Sequence, residues 1–247
     1  MKKFFKKLFV EIPWWAWLIS LALFGIQSGV YHFSDVLANK IGTIDYAFEP
    51  VIHAIDDKIP FVPFFIFFYF LSYPSWMLGF AIIGKCRREK YINFTIAVMT
   101  ALIIGFLFFT FVPTKLDRVS MNVLEKAENG KGLLWWLARE VYKADGWERG
   151  YNALPSFHCM MSTFCLLPLI KDNTFKKGFK IYSVIIASLV YVSTLLTRQH
   201  YILDIPCGMA LAAICYYTIF AINPGKKILA KHPKLDDKKP EIIEESK

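Results

Sequence analysis

The sequence predicts an all-α membrane protein whose six transmembrane helices form one bundle. Of its 247 residues, 55% are hydrophobic and 17% are aromatic, a more apolar composition than soluble domains usually have. A helix needs about 20 mostly apolar residues to cross a bilayer, and six runs approach that length. The runs are Pro13 to Phe33, Phe61 to Gly84, Tyr91 to Val112, Pro155 to Ile170, Phe179 to Thr197 and Tyr201 to Ile222. We therefore expect one membrane domain over residues 1–225 and a charged, solvated cytoplasmic tail over residues 226–247.

Two of the six runs need separate justification. The first follows a basic amino terminus, as a signal peptide would, but it is too long and no small-residue cleavage site follows it cleanly. It is interpreted as a retained span. The fourth, Pro155 to Ile170, is marginal in length, so we expect it to lie inside the bundle. No internal repeat is visible, which weakens an inverted-repeat transporter interpretation.

The basic residues alternate from one connection to the next. Most of the 29 lysines and arginines lie before the first run, between the second and third, between the fourth and fifth, and after Pro224. Lysine and arginine concentrate on the cytoplasmic side of membrane proteins. The pattern predicts a multi-pass protein of the cell membrane with both termini in the cytoplasm. It also accounts for the net charge of +9, so no nucleic-acid partner is expected.

The longest connection runs from Pro113 to Leu154 on the predicted outer side. Its stretch from Gly132 to Tyr142 is rich in Leu, Trp and Ala, with Trp135 next to Trp136. Tryptophan favours the head-group level of a bilayer. The stretch is therefore either an interfacial helix that lies over a site or an ordinary packed helix.

Ionisable residues gather at the ends of the apolar runs on that same side. His200 and Asp204 are four residues apart, close enough for the carboxylate to orient the imidazole. His158 lies at the start of the fourth run. Charged groups at a membrane boundary are costly unless they line a wet cavity, so these three are candidate catalytic residues.

Cleavage of a phosphate ester suits this set of residues. A histidine can attack phosphorus and carry it covalently, and His200 is the better nucleophile because Asp204 can orient it. His158 would then protonate the departing alkoxide. Fixed cations and donors stabilise the transferred phosphoryl group. The candidates for that role are Arg118, Arg198, Lys115 and Ser156.

No metal and no cofactor are expected from the residue pattern. The sequence contains no carboxylate cluster of the kind that holds a divalent ion. The five cysteines form no Cys-x-x-Cys pair and mostly lie in apolar runs, so neither a zinc site nor a disulfide framework is expected.

Two of these motifs resemble those of the phosphatidic acid phosphatase type 2 superfamily of membrane lipid phosphatases and phosphotransferases. The family's Pro-Ser-Gly-His motif corresponds to residues 155–158, with Phe157 in place of glycine. Its Ser-Arg-x5-His-x3-Asp motif corresponds to residues 193–204, with Thr194 in place of arginine. The resemblance extends from Phe61 to Ile222 and implies a six-helix fold.

A finer resemblance is to the inositol-phosphorylceramide synthase-like branch and its bacterial relatives. Residues 111–119 are similar to that branch's Phe-Pro-Thr-x-x-x-Arg-Pro segment, with Val119 in place of proline. Arg198, just before His-Tyr-x-x-Asp, is similar to a basic residue of that branch. The resemblance implies that His200 is the nucleophile, Asp204 its partner and His158 the acid. It also implies three phosphate binders, which are Arg118, Ser156 and Arg198.

The function that follows is an integral-membrane lipid phosphatase. It would hydrolyse phosphate esters of the phosphatidate or polyprenyl diphosphate type through a phosphohistidine, with lipid phosphates and membrane lipids as its partners. One alternative is a head-group phosphotransferase, which uses an alcohol in place of water. A non-catalytic membrane transporter is the other; it predicts polar residues through the membrane midplane, whereas these residues gather at one face.

Overall fold

The structure is a computed structural model that describes residues 12–119, 121 and 123–236. It is about 74% helical, which confirms the all-α class. The helices are α1 (Trp14–Ile41), α2 (His53–Asp56), α3 (Ile66–Ile83), α4 (Arg88–Phe111), α5 (Leu124–Asn129), α6 (Leu133–Ala144), α7 (Phe157–Lys171), α8 (Lys177–Leu196), α9 (Asp204–Ile222) and α10 (Pro224–Lys231). Strands β1 (Lys115–Asp117) and β2 (Arg149–Tyr151) pair antiparallel, with Leu116 opposite Gly150.

Five of the described helices are long and apolar enough to cross a membrane, and a sixth apolar helix is shorter. The five are α1, Pro63–Ile83, α4, α8 and α9. Helix α7 has 15 residues, which extend about 23 Å, less than the roughly 30 Å of a hydrocarbon core. Most of its side chains are buried, and it packs against α3, α8 and α9. The marginal fourth run therefore lies inside the bundle, as its length predicted.

The connections between helices gather at two ends of the bundle. We call them the histidine end (connections 42–62, 112–156 and 197–203) and the basic end (connections 84–87, 172–176 and residues 223–236). At the histidine end, Phe48 bridges to Thr114, and Ile202 N donates to Asp56 Oδ1 at 2.8 Å. The three connections there are thus tied to one another.

The bundle is apolar inside and outside. Its core contains large aromatic side chains that are almost fully buried, namely Trp76, Phe80, Phe94, Phe109 and Phe164. Its outer surface exposes large apolar side chains along the spanning helices, including Leu18, Leu21, Phe67, Ile103, Ile185 and Ile214. An apolar surface of this extent suits hydrocarbon and not water, in agreement with a polytopic membrane protein.

Helices α5 and α6 of the long connection cover the start of α3. Ala138 and Tyr142 of α6 are fully buried and belong to one apolar cluster with Ile66 of α3. The same helix leaves Leu133 67% exposed and Trp136 48% exposed. Helix α6 is therefore packed on one face, while it presents apolar groups outward as an interfacial helix would.

The region expected to be a solvated tail begins with a helix that packs on the bundle. Asn223 caps α10 by accepting from Lys226 N at 3.3 Å, and a proline follows it at the first helical position. Gly225 N donates to Asn93 Oδ1 at 2.7 Å. Most of residues 226–236 are nevertheless exposed, and the division into a membrane domain up to residue 225 and a solvated tail stays a prediction. The amino-terminal lysines at positions 2, 3, 6 and 7, and the tail at 237–247, lie outside the described residues.

Candidate active site

The starts of α7 and α9 lie side by side at the histidine end. Ser156 is the N-cap of α7, where its Oγ accepts from Cys159 N at 3.3 Å. Its backbone N donates to Asp204 O at 3.1 Å. A Cβ at Gly208 would lie 2.3 Å from Ser156 O, so glycine is what permits this approach. The serine and the aspartate of the two motifs are thereby brought together.

Asp204 orients His200 through a buried hydrogen bond. The carboxylate is fully buried, and its Oδ2 lies 3.0 Å from His200 Nδ1 and accepts from Tyr201 N at 2.9 Å. A carboxylate beside Nδ1 favours the tautomer that carries its proton there. The lone pair of Nε2 is then available to accept a hydrogen bond or to attack an electrophile.

Ser156 occupies the position that faces this lone pair. Its Oγ lies 3.1 Å from His200 Nε2, and both groups are buried. With the proton on Nδ1, the serine hydroxyl donates to Nε2. A phosphoryl group that enters at Nε2 would displace this bond and free the hydroxyl to donate to a phosphate oxygen.

His158 faces His200 from the first turn of α7. The two ring centroids are 6.0 Å apart. The His158 ring stacks on Tyr69 at 4.2 Å and lies 5.2 Å from the ring of Trp76. Its Nε2 is buried and has no hydrogen-bond partner among the described residues. Aromatic packing therefore fixes the ring while one nitrogen remains available for proton transfer.

Phe157, which stands in place of the family's glycine, is accommodated by a glycine in α4. A Cβ at Gly105 would lie 2.4 Å from Cε1 of Phe157. The Phe157 ring also packs against Phe109, with centroids 4.6 Å apart. The departure from the motif is thus matched by space across the helix interface, and it leaves Ser156 and His158 in place.

Arg118 is fully buried between Asp145 and Gln199. Its Nη2 donates to Asp145 Oδ2 and, at 3.2 Å, to Gln199 Oε1. Its guanidinium also lies 4.8 Å from the centroid of the Tyr142 ring. Gln199 accepts from Arg118 through its oxygen, while its Nε2 has no partner among the described residues. Gln199 lines one cavity together with His158 and His200, so its amide N–H can donate to a group bound there.

Asp145 links this arginine to α1. Its Oδ1 accepts a hydrogen bond from Tyr31 Oη. A Cβ at Gly150 would lie 2.7 Å from Arg118 Nη2 and 2.8 Å from Asp145 Oδ2, so the pair requires glycine there. Gly150 of strand β2 therefore packs directly against the ion pair, of which Arg118 is fully buried and Asp145 is partly exposed.

A cavity of about 400 Å³ borders these groups. Its polar lining includes His158, His200, Gln199, Asp145, Asn152 and Gln27. Its apolar lining includes Phe70, Leu116, Val141, Ala153 and Phe157. The cavity is thus amphipathic, with both histidines on its polar side.

None of the four residues expected from the sequence to bind phosphate lines this cavity; these are Arg118, Ser156, Arg198 and Lys115. Ser156 and Arg118 contact residues that do line it, His200 and Gln199, whereas Arg198 and Lys115 turn to other partners.

Arg198 has a left-handed backbone (φ 53°), which directs its Nη1 to Asp56 O at 2.6 Å. Burial lowers the pKa of Arg198, while the neighbouring Asp56 favours its charged form. Lys115 pairs with Glu49 at 3.4 Å. Successive strand residues face opposite ways; Leu116 lines the cavity, and Lys115 therefore faces away from it.

Three residues of the site were not identified from the sequence. Asp145 follows α6 and Tyr31 lies within α1, and neither belongs to a recognisable motif. Gln199 lies between Arg198 and His200, so its position in the motif was the one available signal. Asp145 and Tyr31 reach the site only through contacts between distant parts of the chain.

Comparison with known proteins identifies the family. The model of the PAP2 superfamily matches residues 45–218, which is more than half of the chain. No curated protein and no solved structure gave a significant match. The matched region contains both histidines, Asp204, Ser156 and Arg118. The chain therefore belongs to the PAP2 superfamily, and it is a lipid phosphate enzyme of the phosphatase or phosphotransferase type.

Proposed function

We propose that the protein hydrolyses phosphate esters of lipids through a phosphohistidine on His200. The observation that carries the proposal is the Asp204–His200–Ser156 chain of hydrogen bonds, with His158 facing it. Of the two histidines, His200 is the one that a buried carboxylate orients. With the proton on Nδ1, the Nε2 of His200 is free to attack phosphorus. Phosphatidate and polyprenyl diphosphates are the substrate types that we expect.

The first half-reaction transfers the phosphoryl group to the enzyme. His200 Nε2 forms a bond to phosphorus as the bond from phosphorus to the lipid oxygen breaks. The electron pair stays on that oxygen, which takes a proton from His158. A phosphate anion in the cavity favours the protonated imidazole that this step requires.

The second half-reaction returns the enzyme to its starting state. A water molecule attacks phosphorus and gives a proton to His158, which lost one in the first step. The bond between phosphorus and His200 Nε2 breaks, and inorganic phosphate leaves. Asp204 supports positive charge on the His200 ring throughout, because its carboxylate remains at Nδ1.

Fixed donors stabilise the charge on the transferred group. Ser156 Oγ contacts His200, Gln199 lines the same cavity, and Arg118 acts by holding the Gln199 amide. These groups are held before substrate binds, which is the condition for electrostatic stabilisation of a transition state. We assign no phosphate contact to Lys115 or Arg198; we propose that Arg198 holds the turn 197–203 against α2.

A substrate screen tests this function. Purified protein in detergent would be given labelled phosphatidate and polyprenyl diphosphate, with release of inorganic phosphate as the readout. We expect release from at least one of them, and loss of release in His200→Ala. His53→Gln is the matched control, because His53 is an exposed imidazole at the same end of the bundle that pairs with Asp57. A His200→Ala protein with full activity would overturn the proposal.

A head-group phosphotransferase is the second candidate. The resemblance to the inositol-phosphorylceramide synthase-like branch favours it, and so does the polar wall that α1 adds to the cavity beyond the histidines. In this reaction an alcohol takes the place of water in the second step. Labelled lipid given with and without alcohols separates the two, since release of inorganic phosphate alone would eliminate the transferase.

We propose further that the active site faces outward from the cell membrane and that both termini are cytoplasmic. The support is the lysine and arginine of the basic end, which would face the cytoplasm. Single cysteines introduced in the connection 42–62 or in 172–176 of a cysteine-free variant would report the side. An impermeant maleimide should label the first and spare the second in intact cells, and the reverse would refute the orientation.

A further inference from the structure

The turn that carries His200 has no helix or strand to hold it. Residues 197–203 lie between the end of α8 and the start of α9. Within this turn Arg198 has a left-handed backbone (φ 53°). Such a backbone is costly for a residue other than glycine and persists only where the surroundings hold it. The position of His200 therefore depends on the bonds that this turn makes with its neighbours.

Asp56 of α2 binds the turn on both sides of His200. Its Oδ1 accepts from Ile202 N at 2.8 Å, and its backbone oxygen accepts from Arg198 Nη1 at 2.6 Å. Arg198 and Ile202 are the residues two before and two after His200. A single residue from a distant connection thus ties both flanks of the histidine.

The Asp56 carboxylate is fully used by these contacts. The residue is 1% exposed, and its other oxygen, Oδ2, accepts from Ile52 N at 2.7 Å. A buried carboxylate is costly unless its oxygens have partners, and here each oxygen has a backbone N–H. The side chain therefore bridges the start of α2 to the turn 197–203.

The connection that carries Asp56 is itself anchored before and after this residue. Lys115 N donates to Phe48 O at 2.9 Å, and Val62 N donates to Leu196 O at 2.8 Å. The first bond joins the connection to β1, and the second joins it to the end of α8. The connection is consequently a fixed frame against which Asp56 can set the position of the turn.

A second carboxylate holds the same turn in a different way. Asp204 Oδ2 accepts from Tyr201 N at 2.9 Å and lies 3.0 Å from His200 Nδ1. The adjacent N–H groups of Tyr201 and Ile202 thus go to two different carboxylates. Asp204 orients the imidazole ring, whereas Asp56 fixes the backbone from which the ring extends. Asp56 does not line the cavity, so it acts through the turn and not on the substrate.

We propose that Asp56 is a positioning residue for phosphoryl transfer and sets the line of attack of His200 Nε2. The inference rests on the proposed function and adds to it a residue that belongs to none of the sequence motifs described above. Transfer of a phosphoryl group requires the attacking and leaving atoms to be roughly in line. A misplacement of about 1 Å can cost about 100-fold in rate, so the flanks of the nucleophile must be held.

Single-turnover kinetics separate positioning from folding. Protein in excess over ³²P-labelled phosphatidate in detergent consumes the lipid with a rate constant that reaches a limit as the protein concentration rises. Labelled polyprenyl diphosphate replaces phosphatidate if the wild type acts only on it. Unfolded molecules raise the concentration needed for half-saturation, but they leave the limiting rate constant unchanged. A fall in that limit therefore reports on the chemistry of the folded protein.

The principal variant is Asp56→Asn. An amide offers one acceptor oxygen where Ile52 N and Ile202 N each need one, so at least one of the two bonds is lost. We expect the limiting rate constant to fall about 10- to 100-fold. Asp57→Asn is the matched control, because Asp57 is the adjacent aspartate, is exposed and pairs with the exposed His53. It should keep the wild-type limit.

Arg198→Met is a second variant, which leaves the buried carboxylate intact. It removes the bond to Asp56 O while the bond from Ile202 remains. The limiting rate constant should fall by a smaller factor than in Asp56→Asn. If Arg198 instead bound phosphate in the ground state, its loss would raise the half-saturating concentration and spare the limit.

An unchanged limit in both variants would overturn the inference, and so would a change in half-saturating concentration alone. Neither result affects the proposed function, which is judged by phosphate release in the wild type and its loss in His200→Ala. Conversely, a wild-type protein that releases no phosphate from either lipid would refute the hydrolase itself.

Discussion

The two ends of the bundle differ in whether their described polar side chains have hydrogen-bond partners. At the basic end, Lys90 pairs with Asp172, and Asn93 Nδ2 donates to Asn223 Oδ1 at 2.7 Å while Asn223 donates to Glu89. At the histidine end, polar atoms of His158, Gln199, Asn152 and Asp204 remain unpaired among the described residues. Of the described residues, those with unpaired buried side-chain nitrogen or oxygen atoms all lie at or toward the histidine end.

This difference distinguishes a structural polar cluster from a binding site. Closed networks fix one arrangement of helices, and they need no ligand. Unpaired buried groups are costly, so each requires a partner such as bound substrate or an ordered water. The predictions below test whether changes at the histidine end affect activity while changes at the basic end affect stability alone.

The largest effect is expected from the nucleophile. His200→Ala should reduce kcat by about 10³-fold or more, because no other described imidazole in the cavity is oriented by a carboxylate. The thermal midpoint should also fall, because the fully buried Asp204 loses its imidazole partner. A fluorescence melt in detergent would show that the protein remains folded at the assay temperature. A variant that loses activity only in proportion to its loss of folded protein would count against the assignment.

Asp145→Ala should be the most destabilising change at the histidine end. It leaves the guanidinium of Arg118 fully buried without its carboxylate, at a cost of about 3–5 kcal/mol. The thermal midpoint measured alongside Glu140→Ala provides the comparison, since Glu140 lies five residues away and pairs with the exposed Lys143. Equal midpoints for the two variants would show that the buried pair is not stabilising.

Gly150→Ala should affect the same pair more mildly. Its Cβ would lie under 3 Å from both Arg118 and Asp145, and overpacking of this kind costs about 1–3 kcal/mol. We expect kcat/KM to fall with stability, because Arg118 shifts with its partner. Gly178→Ala is the control, since a Cβ there meets nothing within 4 Å.

At the basic end, Asp172→Asn should change stability and leave kcat/KM intact. Burial tends to raise the pKa of Asp172, but bonds from Lys90 and Thr174 outweigh it and hold the pKa at about 2. Because the folded pKa lies below the ordinary value of 3.8, the contribution is complete above that value and is lost as pH falls toward 2. The pair is partly exposed, so we expect about 1 kcal/mol.

A melt series from pH 6 to pH 2 would measure this dependence. The wild type and Asp172→Asn should differ at pH 6 and converge near pH 2. A constant difference across the series would show that Asp172 does not act through its charge, and a fall in kcat/KM would remove the contrast between the ends.

The smallest effect is expected from Lys115→Met. Lys115 pairs with a partly exposed glutamate and faces away from the cavity, so kcat/KM should change by less than about threefold. A tenfold or larger loss of kcat/KM would instead indicate that Lys115 binds phosphate, as its position in the sequence suggested.

Features that depend on residues close together in the chain could be predicted from the sequence. Apolar runs located the helices, and the spacing of His200 and Asp204 placed an imidazole beside a carboxylate. The same reasoning did not foresee the direction of the Arg198 side chain, because a left-handed residue turns it toward Asp56 and no composition rule indicates that turn. It also missed Asp145, whose partners Tyr31 and Arg118 are 114 and 27 residues away. Contacts of that range depend on how the helices pack.

The most direct test of the account is to trap the phosphoryl group on the enzyme. Purified protein would be mixed with ³²P-labelled phosphatidate, quenched in alkali within milliseconds, digested and mapped by mass spectrometry. The account predicts an acid-labile, alkali-stable label on the peptide that contains His200, and no label in His200→Gln protein. A label on His158 instead, or phosphate release without any labelled histidine, would contradict it.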